Sequence, residues 1–197
     1  MGYKQKRNRR KYSEYYKWAR KQLKKDGKII QKKIRPKNGR EKFYYATYPL
    51  ILDVFKKEKN NHLIKYALVY SWMPRIPILE KRVKDFNEKC QKILDAIDKI
   101  RDKLEMHKKE FEEAFKKLKR LLNGSDIAAS KFLHFQYPTA FPMWDTKMKK
   151  WLKGKGSKTY WEFVTESRAA IKETNFDMKR SEWSSMRVLE QLVWRSR

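Results

Sequence analysis

The sequence predicts an all-α protein, and three observations support that fold class. Apolar residues recur at helical spacing along most of the chain. Ser, Asp, Asn, Gly and Pro residues stand where these stretches start or stop. No two segments show the alternation that paired strands require. A length of 197 residues fits one domain with a small appendage, so we divide the chain into a basic N-terminal arm with a short helix, residues 1–40, and an all-helical domain, residues 41–197.

The N-terminal arm contains one predicted helix. Its tip, up to Lys11, is rich in basic residues and has the composition of a flexible arm. Ser13 is a suitable N-cap for a helix over residues 14–25, which ends at the Asp-Gly pair that follows. Residues 28–34 suit either a short strand or a helical turn, and a loop follows at 36–39.

Two aromatic-rich helices are predicted next, over residues 41–59 and 61–73. Pro49 is expected to kink or restart the first helix, because proline lacks the amide that a helix interior uses. Pro74 and Pro77 are expected to end the second helix and turn the chain.

Residues 78–122 carry a heptad pattern of apolar residues with a single polar member, His107. One unbroken helix would be roughly 60 Å long, whereas a compact domain of this size is only about 40–45 Å across. The helix therefore either breaks around residues 105–108 or projects and packs against another long element. We favour one long helix, straight or bent, which would also allow self-association through residues 81–122.

The C-terminal part is predicted to contain two amphipathic helices after a loop at 154–157. They span residues 158–172 and 182–194, and Ser181 is the predicted N-cap of the second. Arg187 and Glu190 lie three residues apart, which predicts an ion pair on this helix.

The charge of the chain indicates a polyanionic partner. A formal net charge of +28 and an isoelectric point near 10.1 favour nucleic acid, with an anionic membrane surface as the alternative. No apolar run is long enough to span a bilayer, and the single cysteine, Cys90, excludes an internal disulfide and suits a reducing, cytoplasmic environment. The three histidines and Cys90 share no metal-ligand spacing, so we predict neither a metal nor another cofactor.

Residues 123–126 (Asn-Gly-Ser-Asp) form a predicted turn between helices at 111–122 and 127–135. Asn-Gly readily adopts positive φ, and Ser125 or Asp126 can cap the second helix, whose small first residues allow close packing. The amides at that helix start would face an anion. The alternative is an ordinary connection between two helices.

Taken with the run 137–146, which ends in Pro-Met-Trp-Asp-Thr, segment 111–152 resembles the helix-hairpin-helix core of the DNA base-excision glycosylase superfamily, the endonuclease III-like fold. The resemblance implies that the hairpin holds a DNA phosphate. It also implies that Asp145 either serves catalysis or only caps the helix beginning near Thr146. The family's lysine nucleophile is replaced here by Ile127, and Lys131 lies one helical turn further along the same face. The family's first and second hairpin glycines are replaced by Asn123 and Ser125.

The resemblance implies one candidate catalytic residue, Asp145, and Lys131 is a second candidate because it lies one helical turn from the position of the family's lysine. The resemblance also implies a set of residues at the hairpin and on the next helix that would contact nucleic acid: Asn123, Gly124, Ser125, Ile127, Lys131, Lys147, Lys149 and Lys150. The expected partner is duplex DNA, with RNA as an alternative. The expected functions are a repair glycosylase or lyase that extrudes a base, a non-catalytic DNA-binding protein, or a coiled-coil interaction protein.

Residues 130–135, 141–145, 70–76 and 187–190 also resemble elements of uncharacterised microbial proteins, which implies a shared fold without a known activity. Trp144 and Trp151 flank the predicted site, where core packing is favoured over a base-stacking wall. His134 is expected to be a core residue or to face the cleft.

Overall fold

The computed structural model describes residues 12–73, 85–177 and 183–196, and every regular element in these ranges is helical. The all-α fold class is therefore confirmed. The α-helices, in chain order, are α1 (Glu14–Leu23), α2 (Gly27–Ile34), α3 (Gly39–Lys57), α4 (His62–Ser71), α5 (Phe86–Arg101), α6 (Lys108–Leu121), α7 (Asp126–Gln136), α8 (Thr146–Gly154), α9 (Tyr160–Thr174) and α10 (Ser185–Arg195). A short 3₁₀ helix, Leu104–Met106, lies between α5 and α6.

Helix α1 begins at the predicted cap, because the Ser13 hydroxyl accepts the Tyr16 amide at 3.3 Å. The helix packs against α9, where the Tyr15 and Ser167 hydroxyls are hydrogen-bonded at 2.6 Å. Residues 14–23 thus share the core of the larger predicted domain, while the predicted flexible tip up to Lys11 lies outside the described residues.

The segment at 28–34 is helical, which decides between the two alternatives left open by its sequence. Asp26 caps α2 by accepting the Lys28 amide at 2.8 Å. Ile30 and Ile34, one turn apart, are both buried against the core, and α2 packs on α10. Tertiary burial of this one face selects the helix.

The two aromatic-rich helices are present as α3 and α4. Pro49 lies inside α3, which continues through it to Lys57 without restarting. Asn38 and Asn61 cap these helices through their side-chain oxygens. The turn predicted at residues 74–77 lies outside the described residues.

The prediction of one long heptad helix is wrong. Within the described part of this segment, α5 and α6 are separate helices that pack against each other. Cys90 and Ile97 on α5 and Phe111 and Leu118 on α6 are all buried in one core. Folding back buries both halves of the apolar stripe inside one chain, whereas a helix of roughly 60 Å would leave part of it in water.

The break between α5 and α6 is held by contacts with α9. The buried Leu104 accepts the indole N–H of Trp161 through its carbonyl at 3.1 Å, and Arg168 binds the Arg101 carbonyl at 2.5 Å. His107, the polar member of the heptad pattern, directly precedes α6 and keeps partial exposure to solvent.

Helix α10 begins at a different serine from the predicted one. Ser184 is its N-cap and accepts the Arg187 amide at 3.1 Å, so the prediction of Ser181, which lies outside the described residues, is wrong. Trp183, immediately before this cap, is buried.

Helix α7 lies at the centre of the fold and packs against α3, α4 and α6. Its residues from Ala128 to Phe135 are buried except Lys131, which is half-buried. Among the helices described, none is both long and apolar enough to cross a membrane.

Candidate functional site

The turn between α6 and α7 reverses the chain with two residues in the left-handed region. Asn123 has φ +54° and Gly124 has φ +74°, and no atom lies within 4 Å of where a Cβ on Gly124 would be. Glycine is therefore favoured there by its backbone conformation rather than by a lack of space. The Gly124 amide donates to the Lys119 carbonyl at 2.8 Å, and the Ser125 amide donates to the Leu122 carbonyl at 3.2 Å.

The start of α7 supplies amides that the turn itself does not use. The Ser125 hydroxyl accepts the Ala128 amide at 3.1 Å. The amides of Asp126 and Ile127 belong to the first turn of the helix, where backbone N–H groups have no partner within the helix itself. These two amides, unlike those of Gly124 and Ser125, which donate within the turn, lie at the positive end of the helix dipole, where negative charge is favoured.

A groove of about 440 Å³ lies beside this turn, and we call it the hairpin groove. It is bordered by the last turn of α6, the hairpin and one face of α8. Its lining residues are Lys119, Gly124, Ser125, Asp126, Ile127, Thr146, Lys149, Lys150 and Lys153. Four lysines and one carboxylate give the groove a strongly positive lining.

Asp126 connects the lysines of α6 with those of α8. Its carboxylate binds Lys119 Nζ at 2.7 Å and Lys149 Nζ at 2.6 Å, and all three side chains are about one-third exposed. Burial alone would raise the pKa of the Asp126 carboxyl, but the hydrogen bonds and charges of the two lysines outweigh it and lower the pKa. Asp126 is thus ionised at neutral pH and holds both ammonium groups at the groove.

Asp145 caps α8, which is one of the two roles that the resemblance implies for it, because its Oδ1 accepts the Met148 amide at 2.7 Å. Ser130 of α7 positions this helix start: its hydroxyl oxygen accepts the Trp144 amide at 3.1 Å and lies 3.0 Å from the Ile127 carbonyl, to which it can donate. Thr146, next to Asp145, lines the hairpin groove, whereas Asp145 itself does not. The hairpin and the start of α8 therefore border one groove.

Lys131 is half-buried and does not line the groove. Its Nζ donates to the Trp72 carbonyl at 2.9 Å, at the end of α4. Burial lowers the pKa of the Lys131 amine to about 8, although the charges of Glu190 and Asp145 act in the opposite direction. This amine meets the desolvation condition for a nucleophilic lysine, but it is directed at a backbone carbonyl.

The structure brings five of the residues predicted to contact nucleic acid into the groove lining: Gly124, Ser125, Ile127, Lys149 and Lys150. Asn123 and Lys147 are exposed beside the groove and do not line it. Four more residues line the groove without having been predicted to bind nucleic acid: Lys119, Asp126, Thr146 and Lys153. Lys153 follows Lys149 by four residues, and this helical spacing could have identified it.

A buried polar cluster behind the groove holds the loop that leads to α8. His134 Nδ1 is 2.6 Å from the Phe141 carbonyl, so this nitrogen donates, and Nε2 accepts the Tyr48 hydroxyl at 2.8 Å. Burial, reinforced by the charge of Arg187, lowers the pKa of His134 to about 3. His134 is therefore a neutral core residue that does not face a cleft.

The ion pair predicted on α10 is confirmed. Arg187 binds Glu190 at 2.5 Å with both side chains almost fully buried, and the Arg187 guanidinium lies over the Tyr48 ring, 4.6 Å from its centroid. Burial raises the pKa of Glu190, against the opposing effect of Arg187. The pair and His134 together fix Tyr48, and hence α3, against α7 and α10.

The described residues contain no cluster of three or more His, Cys, Asp or Glu that could hold a metal ion. A comparison of the chain with protein-family models, with curated proteins and with solved structures finds no match. The geometry and charge of the groove are therefore the basis for a functional assignment.

Proposed function

We propose that this protein binds DNA through the hairpin groove, and that segment 111–152 acts as a helix-hairpin-helix phosphate-binding element. The observation that carries the proposal is the convergence of the start of α7 with four lysines in one groove. Helix-start amides and ammonium groups are both common donors to DNA phosphates. The net charge of +28 adds long-range attraction for any polyanion.

The groove lysines divide into two pairs with different roles. Lys150 and Lys153 are exposed and can meet a phosphate directly. Lys119 and Lys149 already bind Asp126, so a phosphate must compete with that carboxylate for them. Asp126 thereby limits non-specific affinity while it holds two ammonium groups beside the helix start.

The non-catalytic form of this function is the better supported one. Ile127, at the position that would be the lysine nucleophile in the resembled family, has no nucleophilic atom. Lys131 donates to the Trp72 carbonyl instead of lining the groove.

The second candidate function is a repair lyase that uses Lys131, and the buried, low-pKa amine favours it. A duplex with an abasic site, incubated with borohydride, distinguishes the two. A trapped adduct that disappears in Lys131→Met supports the lyase, and absence of an adduct with binding intact supports the non-catalytic form.

A salt series on matched lysine variants tests DNA binding itself. We expect Lys150→Ala/Lys153→Ala to reduce the slope of log affinity against log salt by about 1–2 for duplex DNA, since each lost phosphate contact changes it by about 0.9. The control is Lys56→Ala/Lys99→Ala, which removes the same charge from exposed positions that do not line the groove. Equal effects of the two double variants would contradict the groove as the binding site.

A further inference from the structure

A second cavity adjoins the hairpin groove, and we call it the aromatic pocket. It has a volume of about 300 Å³ and lies between α6, α8 and α9. Its lining combines five aromatic side chains with five lysines and two carboxylates: Phe111, Phe115, Trp144, Tyr160, Trp161, Lys116, Lys119, Lys149, Lys153, Lys158, Glu112 and Asp126, with Thr159. Of its cations, Lys119, Lys149 and Lys153 also line the hairpin groove. The two cavities therefore form one continuous basic surface.

The aromatic side chains differ in how far a ligand can reach them. Phe111, Trp144, Tyr160 and Trp161 are buried, while Phe115 is only partly buried. The Phe115 ring is stacked on Tyr160 with 4.6 Å between centroids and 26° between planes. This stack fixes the orientation of Phe115 and leaves it as the accessible aromatic surface.

We propose that the aromatic pocket takes one unpaired base of a DNA strand whose phosphates lie in the hairpin groove. This inference rests on the proposed DNA-binding function and specifies its substrate class. Bases stack on aromatic side chains while lysines follow the backbone, and this combination is typical of single-strand recognition. A base inside a duplex is covered on both faces by its neighbours, so only an unpaired or extruded base can enter.

The pocket is a binding site rather than a site of base excision. Neither Asp145 nor Lys131 is among its lining residues. The carboxylates near its mouth are engaged: Asp126 binds two lysines, and Glu112 lies 3.9 Å from Lys108 Nζ. The pocket therefore holds a base next to anchored phosphates and discriminates DNA with unpaired positions from perfect duplex.

The test compares the full chain on two labelled DNAs, a blunt duplex and the same duplex with one unpaired 2-aminopurine. We expect tighter binding to the second DNA and a change in 2-aminopurine fluorescence that reports stacking. Phe115→Leu keeps an apolar side chain but removes the ring, and we expect it to lower affinity for the unpaired DNA between about 5- and 100-fold. Affinity for the duplex should stay unchanged. The control Phe43→Leu alters an exposed ring on α3 that lines neither cavity.

The outcomes separate this inference from the function on which it rests. Salt-dependent binding of both DNAs with equal affinity, unaffected by Phe115→Leu, overturns the aromatic pocket and leaves DNA binding standing. No salt-dependent binding of either DNA overturns both. Thermal unfolding of Phe115→Leu and Phe115→Ala shows whether either variant is destabilised. Equal losses of affinity in the two variants, despite different stabilities, assign the loss to the missing ring, whereas a loss that increases with destabilisation assigns it to the fold. If an acidic peptide that contains tryptophan binds the pocket while both DNAs do not, the partner is a protein and both proposals fail.

Discussion

Replacing Asp126 with asparagine should weaken the fold and strengthen DNA binding at the same time. The carboxylate binds Lys119 and Lys149 at 2.7 and 2.6 Å and occupies the first position of α7. Asparagine keeps the size of the side chain but removes its charge. The two effects have opposite signs because the carboxylate stabilises the folded chain and, under the proposed function, would compete with phosphate for the same lysines.

The size of each effect follows from the exposure of these groups. A carboxylate at a helix start contributes about 0.3–1 kcal/mol, and each partly exposed ion pair contributes about 0–1 kcal/mol. We therefore expect a loss of about 1–2 kcal/mol in the free energy of unfolding, which lowers Tm by roughly 2–8 °C in a chain of this length. Release of two ammonium groups should increase the salt slope by about 1–2 and tighten duplex binding by about 3- to 10-fold at moderate salt.

Thermal unfolding by circular dichroism and anisotropy titrations with a duplex over a salt series measure the two effects. Asp53→Asn is the matched control, because Asp53 forms an exposed ion pair with Lys57 on α3 and lines neither cavity. Unchanged or weaker DNA binding by Asp126→Asn, with an unchanged salt slope, would refute the placement of the phosphate site at Asp126. An equal gain in Asp53→Asn would attribute the effect to net charge alone.

Three further predictions test how the groove and the core behind it are built. Ser130→Ala leaves the buried Trp144 amide without its acceptor at 3.1 Å. We expect the free energy of unfolding, measured with denaturant, to fall by about 1–3 kcal/mol. A fall of less than about 0.3 kcal/mol, which is the scatter seen between independent sites, would contradict this role of Ser130. Gly124→Ala should lower the free energy of unfolding by about 1–2 kcal/mol, because the position has a φ of +74°. Asparagine tolerates positive φ better than alanine, so Gly124→Asn should lose less in the same assay. His134 has a pKa of about 3 in the folded chain, below its ordinary value, so its neutral form stabilises the fold above about pH 6.5 and this stabilisation is lost as pH falls toward 3. As the pH falls from 6.5 to 5, the free energy of unfolding should therefore decrease by up to about 1.4 kcal/mol per pH unit. The decrease should be smaller in His134→Gln. Equal decreases in the two proteins would show that a group other than His134 titrates.

The sequence alone determined the features that depend on neighbours along the chain. Helix periodicity predicted the all-α class, and local capping chemistry placed the start of α1 at Ser13. The Asn-Gly pair likewise predicted the hairpin, whose two residues have positive φ. These signals work because a cap or a tight turn is decided by hydrogen bonds within a few residues.

Features that depend on distant parts of the chain were decided only by the tertiary structure. The heptad stripe suited one long helix as well as two, and burial of both halves in one core selected α5 and α6. The groove shows the same limit, because Lys119 and Asp126 meet Lys149 only after the hairpin and Ser130 set α7 beside α8. Lys131 became a buried donor to the Trp72 carbonyl for the same reason. Spacing along a helix fixes the face on which a residue lies, but the element packed against that face is chosen by the total apolar surface that the whole chain can bury.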